Sequence, residues 1–347
     1  MSAELLYTTR GDLVETIQRG HVAVVDVRGR LIASSGYPEA TSYMRSAAKP
    51  LQATMVVQSG AAGRFGLAGP LLAICCASHQ GEPGHVAAVR EVLARAGVPE
   101  SALQCGVHAP VYGPAAAALW RAGEEPGAVH NNCSGKHAGM LAAARALGAP
   151  MESYLSIDHP VQQGILANVA ALTGVSRERI VIGVDGCSVP VHGLPIRAMA
   201  YAYAQLADPA RAAACAPLLA PLAEAMVTHP WYVRGTGGPD TELMERAGGR
   251  LVAKGGAEGV LCIAVRDAGL GLAMKVESGR NERAHAVAID ALRQLGVLGS
   301  DEVEAMGDLA HPPVRNHRGL YVGQARPVVK LTSHQPSGIS RQDEADG

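Results

Sequence analysis

The sequence contains very few aromatic side chains, and this scarcity restricts how its core is built. Aromatic residues make up 3% of the 347 residues, with a single Phe and two Trp. Hydrophobic residues nevertheless reach 48% and charged residues 18%, a balance typical of a globular chain and not of a disordered one. The core must therefore consist mainly of Ala, Leu, Val, Ile and Met, which favours closely packed helices over aromatic clusters.

An excess of one charge and long apolar runs are lacking as well. The net charge is −1, so the sequence provides no basic surface for nucleic acid or for an anionic membrane. No apolar run reaches the ~20 residues of a membrane span, and the first residues do not resemble a signal peptide. Seven irregularly spaced cysteines do not indicate a disulfide framework. We therefore expect a cytoplasmic protein that binds neither nucleic acid nor membranes.

Strand and helix patterns divide this single chain into three parts. Apolar and β-branched segments predict strands within residues 1–45 and 248–331, whereas residues 46–247 show mainly helical patterns interrupted by Gly and Pro. Because strands at both ends flank a helical middle, we expect an α/β fold: one sheet built from both chain ends, with a helical insertion that carries the site. Residues 332–347 are predicted to form a polar tail.

The segment from Arg45 to Pro50 is the first candidate for catalysis. Ser46 and Lys49 are three residues apart, which places them on one face of a helix. A lysine kept neutral by burial or by another cation can then remove the hydroxyl proton. Pro50 predicts a regular helix from about Ala47, so Ser46 would lie near free N–H groups that stabilise an oxyanion. The alternative is a chance Ser-x-x-Lys match.

Two further segments carry residues suited to catalysis. Ser78 is followed by His79 and Glu82, although the pattern by itself favours an ordinary polar loop. Lys254-Gly255-Gly256 lies on a predicted strand, where glycine allows a substrate to lie close to the backbone. A simple turn at the strand end is the alternative for this second segment.

Cysteine, lysine and aspartate form the last cluster. Cys133 and Lys136 share a face at the start of a predicted helix, and Asp185 and Cys187 share a face at the end of a predicted strand. Thiolates are good zinc ligands, but buried free cysteines are usually inert packing residues. We assign the other five cysteines to that packing role: Cys75, Cys76, Cys105, Cys215 and Cys262.

Five motifs occur together and in order along nearly the whole chain. They are Arg45-Ser46-x-x-Lys49-Pro50, Ser78-His79-x-Gly81-Glu82-Pro83, His130 to Gly139 (HNNCSGKHAG), Asp185-Gly186-Cys187 and Lys254-x-Gly256-Ala257-Glu258-Gly259. The set resembles the asparaginase II family, the rhizobial inducible type or class 3 L-asparaginases, from residue 5 to about 330. The resemblance implies a fold similar to serine β-lactamases, penicillin-binding proteins and glutaminases. Gly255 stands where those enzymes carry Thr or Ser.

The resemblance also implies a reaction, the hydrolysis of L-asparagine to L-aspartate and ammonia through a serine acyl-enzyme. It implies two catalytic pairs, Ser46 with Lys49 and Ser78 with Lys254. The other implied site residues are Arg45, Asn132, His137 and Asp185 for the substrate, and Cys133, Lys136 and Cys187 for zinc. Zinc would modulate the pocket and not activate water, and the protein would be a homodimer. Two alternatives are a β-lactamase-like or peptidase-like serine acyl hydrolase and a non-catalytic, zinc-stabilised scaffold.

Overall fold

The computed structural model describes residues 1–212 and 216–334. The strands are β1 (Ala3–Arg10), β2 (Leu13–Asp26), β3 (Leu31–Ser35), β4 (Thr41–Tyr43), β5 (Val181–Val184), β6 (Pro190–Pro195), β7 (Leu251–Gly255), β8 (Val260–Val265), β9 (Leu270–Val276), β10 (Pro313–Arg315), β11 (Tyr321–Pro327) and β12 (Thr332–Ser333). The helices are α1 (Lys49–Gln58), α2 (Ala61–Arg64), α3 (Pro70–Cys75), α4 (Pro83–Ala96), α5 (Gly113–Ala122), α6 (Ser134–Leu147), α7 (Pro160–Thr173), α8 (Ile196–Ala207), α9 (Ala216–Thr228), α10 (Pro230–Arg234), α11 (Pro239–Arg246), α12 (Ala284–Gln294) and α13 (Ser300–Ala305).

A nine-stranded antiparallel sheet joins the two ends of the chain. Its order is β10-β11-β1-β2-β9-β8-β7, with β3 and β12 added beside the second half of β2. The long strand β2 holds the sheet together because its first half pairs with β1 and its second half pairs with both β3 and β9. The predicted α/β class, with a sheet from both chain ends and a helical insertion, is confirmed.

The predicted polar tail begins inside this sheet. Thr332 and Ser333 form β12 and pair with Ser34 and Ala33 of β3. Residues 335–347 of the predicted tail lie outside the described residues.

Helices cover the sheet closely. Every residue of β8 is buried, so both faces of this strand are covered. Helix α8 packs against β2, β8 and β9. The close contact between α8 and β9 requires glycine at position 271, since a Cβ there would lie 1.9 Å from the Ala200 carbonyl oxygen. Small residues thus bring a helix and the sheet together where aromatic side chains are scarce.

The helical part between the chain ends packs around α1 and α6. Eleven residues of α6 are buried, and the helix meets the end of α3 through Gly135, whose Cβ would lie 2.2 Å from the Ile74 carbonyl oxygen. A small antiparallel sheet in the order β4-β6-β5 contacts α8 and the turn before α1. No helix of the described residues is long and apolar enough to span a membrane.

The described cysteines are unpaired and buried. Burial raises the pKa of the Cys75 thiol to about 12 and that of Cys105 to about 11, so both stay protonated at neutral pH. The packing role is confirmed for four of the five cysteines assigned to it: Cys75, Cys76, Cys105 and Cys262. Cys215 lies outside the described residues.

Candidate active site

A small cavity lies between the sheet and the helical part. Both candidate serines, Ser46 and Ser78, line it, together with Asn132 and the strand end at Gly255–Gly256. Its volume is about 190 Å³, below the ~300–1,000 Å³ of pockets that hold drug-sized ligands. A cavity of this size suits a small substrate such as a single amino acid.

Ser46 reaches the cavity from a tight turn before α1. Residues Arg45–Ala48 form a 3₁₀ turn that leads directly into α1, close to the predicted helix start. Gly256 lies against this turn, because a Cβ at that position would be 2.9 Å from the Met44 carbonyl oxygen and 3.3 Å from the Ala47 nitrogen. Within the described residues, the Ser46 side chain has no hydrogen-bond partner, so its hydroxyl is available to a substrate.

Lys49 is completely buried and donates its hydrogen bonds into the Ser78 segment. Its Nζ lies 2.5 Å from the Ala77 carbonyl oxygen, 2.9 Å from Ser78 Oγ and 3.4 Å from the Asn132 carbonyl oxygen. Burial lowers the pKa of Lys49; the charge of Cys133 acts against this, and the charge of Lys136 adds to it. The amine is thus positioned to exchange a proton with the Ser78 hydroxyl.

Lys254 lies on β7, buried beside a carboxylate. Its Nζ is 2.7 Å from the Gly255 carbonyl oxygen and 3.5 Å from Asp240 Oδ2. Asp240 also accepts hydrogen bonds from the Gly255 N–H, at 2.9 Å, and from His285 Nε2, at 2.8 Å. Asp240 therefore connects α11, β7 and α12 at the edge of the cavity.

The charges around Lys254 tune its protonation. Burial lowers the pKa of Lys254 to about 7; Asp240 acts against this shift, and the charges of Lys49 and Arg234 reinforce it. Burial acts to raise the pKa of Asp240, but Lys254 and the hydrogen bond from His285 hold it well below its usual value. At neutral pH an ionised carboxylate thus lines the cavity, and the buried lysine beside it is close to half neutral.

The hydrogen bonds of Lys49 and Lys254 differ from the expected pairs, in which Lys49 contacts Ser46 and Lys254 contacts Ser78. Lys49 bonds to Ser78 and not to Ser46, because three acceptors from other segments surround its amine and match its three N–H donors. Lys254 bonds to Asp240, and no hydrogen bond joins it to Ser78 in the part of the chain that the structure describes. The structure does bring both serines to one cavity.

Two thiols and an amine meet beside the cavity. Lys136 Nζ lies 2.9 Å from Cys187 Sγ. A hydrogen bond from Cys187 lowers the pKa of the Cys133 thiol well below its usual value and raises that of Cys187. Burial acts to lower the pKa of Lys136, but the charges of Cys133 and Cys187 raise it overall. Cys133, Lys136 and Cys187 therefore form a buried thiolate–ammonium cluster.

The donor set of this cluster is suited to zinc only if Lys136 takes part. Among the described residues, no three His, Cys, Asp or Glu side chains converge as metal ligands. Two sulfur atoms and one nitrogen converge instead, and both elements are ones that zinc binds. Zinc would bind the neutral amine, so metal binding and loss of the lysine proton would occur together.

The residues predicted to bind the substrate make different contacts in the structure. Arg45 has a positive φ of 51°, and its Nε lies 2.8 Å from Asp185 Oδ1, so these two side chains neutralise each other. Asn132 lines the cavity, with its Oδ1 3.2 Å from Cys133 Sγ. His137 is fully buried; its Nδ1 is 2.7 Å from the Tyr154 hydroxyl, and burial lowers its pKa so that it is neutral.

Three ionisable residues of the cavity were not predicted from the sequence. Arg234, Asp240 and His285 line it, but they lie on three separate elements without a common motif. The glycine-rich loop that begins at Arg234 was the one feature of the local sequence that could have indicated any of these three residues. Asp240 and His285 are 45 residues apart and are joined only by tertiary packing.

Comparison with known proteins identifies the family of this chain. The family model for L-asparaginase II matches residues 6–327. Similar solved structures include native Mglu in 4.3 M NaCl, which is 14% identical with a TM-score of 0.46 over 81% of this chain and 61% of the Mglu chain. A beta-lactamase from Mycobacterium bovis is 16% identical with a TM-score of 0.43, covering 80% of this chain and 95% of its own.

Another similar structure is a mutant of the Aspergillus terreus simvastatin synthase LOVD, which is 14% identical with a TM-score of 0.39 over 76% of this chain and 87% of its own. No curated protein matches the sequence. The family match spans all five motifs described above and confirms the predicted resemblance. The chain belongs to the L-asparaginase II family.

Proposed function

We propose that this protein is an L-asparaginase that hydrolyses the side-chain amide of L-asparagine through a serine acyl-enzyme. The observation that carries the proposal is one small cavity lined by Ser46 and Ser78, with the amine of Lys49 2.9 Å from Ser78 Oγ. Buried lysines of lowered pKa are suited to proton transfer at neutral pH. Membership of the family supports asparagine as the substrate.

Ser46 is the proposed nucleophile. Its hydroxyl has no competing partner among the described residues, and it lies at the turn that begins α1. Attack by Ser46 Oγ on the amide carbonyl forms the C–O bond of the acyl-enzyme, and the hydroxyl proton passes by way of Ser78 to the neutral amine of Lys49. The C–N bond then breaks, and the departing nitrogen takes a proton to leave as ammonia. Water releases aspartate and restores the serine.

Ser78 and the two lysines move the protons in this scheme. Lys49 bonds directly to Ser78 Oγ, so this pair can pass a proton along one hydrogen bond. Lys254, with a pKa of about 7, is available in both protonation states near neutrality. Two amines divide the labour between activation of the nucleophile and protonation of the leaving group.

A zinc site next to the pocket belongs to the proposal. Cys133, Lys136 and Cys187 would hold the ion, which would supply a fixed positive charge beside the substrate. None of these three residues is assigned a proton-transfer step, so the site would tune substrate affinity. We also propose a cytoplasmic location, where reducing conditions would keep the two thiols available. We further propose that the protein is a homodimer, which light scattering would test.

Ammonia release tests the proposal. Purified protein should release ammonia from L-asparagine at a rate that depends on Ser46, and Ser46→Ala should reduce that rate to background. A surface change, Ser300→Ala, serves as the control for folding and preparation. Turnover of a chromogenic β-lactam without ammonia release would favour the β-lactamase-like alternative. Bound zinc with neither activity would favour the scaffold.

A further inference from the structure

The cavity contains a guanidinium group to which the proposed reaction assigns no contact with the substrate. Arg234 lines the cavity beside Ser46 and Ser78. Its Nη1 donates to the Ser78 carbonyl oxygen at 3.2 Å, which places the charged group at the segment carrying that serine. An arginine carries five N–H donors, and most of those of Arg234 have no acceptor among the described residues.

Arg234 also lacks a partner of opposite charge. Among the described residues, no carboxylate lies within 4 Å of its guanidinium. Asp240 lines the same cavity but is already bonded to His285, the Gly255 N–H and Lys254. Arg45, the arginine expected from the motifs, is paired with Asp185 at 2.8 Å. Among the described residues, Arg234 is therefore a cation of the cavity lining that has no ion-pair partner.

The loop that carries Arg234 is held firmly to the Ser78 segment. Thr236 donates to Glu82 from both its backbone N–H, at 2.8 Å, and its Oγ1, at 2.7 Å. Gln80 Nε2 donates to the Thr236 carbonyl oxygen at 2.7 Å. Gly235, with a φ of 94°, leaves no room for a Cβ, which would lie 2.6 Å from Glu82 Oε1. These contacts fix the position of Arg234 relative to the serine.

We propose that Arg234 binds the α-carboxylate of the amino-acid substrate and makes a free α-carboxylate a requirement for turnover. This inference rests on the proposed amide hydrolysis. A guanidinium binds a carboxylate through two parallel hydrogen bonds, which fixes orientation as well as position. In a cavity of about 190 Å³, a carboxylate held by Arg234 would leave the side-chain amide of asparagine within reach of a serine. Asparagine whose α-carboxyl group forms a peptide bond lacks that carboxylate and would be excluded.

The test compares L-asparagine with its α-methylamide, which keeps the side-chain amide but lacks the negative charge. Ammonia is measured in both cases, since hydrolysis of the α-methylamide bond would release methylamine instead. We expect wild-type kcat/KM to favour asparagine by roughly 10- to 150-fold, the range for hydrogen bonds to charged groups. At pH 9, well above the Lys254 pKa of about 7, Arg234→Met should lower kcat/KM for asparagine by about this factor, mainly through KM, and change that for the methylamide little. Arg234→Lys should restore part of the preference.

Arg45→Met is the matched control and should keep the preference, whatever its effect on rate. The inference is overturned if wild type uses both substrates equally, if Arg234→Met lowers both to the same extent, or if Arg45→Met removes the preference. Equal loss on both substrates would show that Arg234 only supports the Ser78 segment. Release of ammonia from neither substrate by wild type would instead remove the proposed function itself, so the two failures are distinguishable.

Discussion

The protonation of Lys254 should control how activity depends on pH. Burial lowers the pKa of this lysine from 10.5 to about 7. At pH 7 about half of the molecules then carry a neutral amine, against about 1 in 3,000 for an unperturbed lysine. If the reaction requires the neutral amine, kcat/KM should fall at least tenfold for each pH unit well below 7 and level off above about 8.

The Asp240 carboxylate gives this prediction a sharper test. Its charge acts to raise the pKa of Lys254, so Asp240→Asn should lower that pKa and move the acid limb of the profile to lower pH. Asparagine can still accept the hydrogen bond from Gly255, which limits structural change. Loss of one partner of a buried ion pair can still cost about 3–5 kcal/mol of the free energy of unfolding.

The assay is ammonia release from L-asparagine between pH 5 and 9, analysed as kcat/KM. Cooperative thermal unfolding of each variant shows that it is folded at every pH used. Asp267→Asn is the matched control, since this exposed carboxylate lies in the β8–β9 turn, and its profile should match that of wild type. A wild-type profile that stays flat from pH 5 to 8, or an Asp240→Asn limb that moves to higher pH, would refute the reasoning.

Three further predictions address the serines, the metal and the packing. Ser46→Ala should abolish ammonia release and Ser78→Ala should impair it severely, because residues that act as a unit give non-additive losses; near-normal rates for Ser46→Ala with an inactive Ser78→Ala would exchange their roles. A chelator, or Cys133→Ala, should mainly raise KM and leave turnover measurable, whereas an inactive apoprotein whose kcat returns with zinc would make the metal a catalytic participant. Gly271→Ala should lower the free energy of unfolding by at least about 1–3 kcal/mol, because its Cβ would lie 1.9 Å from a backbone oxygen of α8. Gly63→Ala in α2, where the added Cβ meets open space, should be neutral or stabilising by up to about 1 kcal/mol, and equal melting temperatures for the two variants would contradict this packing argument.

The fold was accessible from the sequence because its main signals are local. Alternating and continuous apolar segments mark strands at both chain ends, and the motif set over residues 5–330 indicated the family that the family model confirms. The start of α1 was predicted at about Ala47 and lies two residues later, at Lys49, because Pro50 restricts the residues before it. Periodicity and proline chemistry therefore suffice for elements whose form depends on neighbours in the chain.

The contacts inside the site depend on residues far apart in sequence and could not be predicted in this way. The spacing of Ser46 and Lys49 indicated a shared face, but the direction of the Lys49 amine is set by acceptors in residues 77, 78 and 132. Likewise, no local pattern connects Asp240 with Lys254, 14 residues away, or with His285. Hydrogen-bond geometry between separate elements is determined by packing, which composition and periodicity do not record.

The pairing of β2 with β9 has a consequence for synthesis of the chain. Residues Gly20–Asp26 of β2 pair with Leu270–Val276 of β9, so one edge of an early strand waits for a partner made about 250 residues later. At typical translation rates of ~5–20 residues per second, the wait is on the order of 10–50 s. During that time an apolar strand edge is open to pairing with other nascent chains. Ribosomes that stall before β9 would therefore release chains prone to aggregate, whatever the stability of the finished protein.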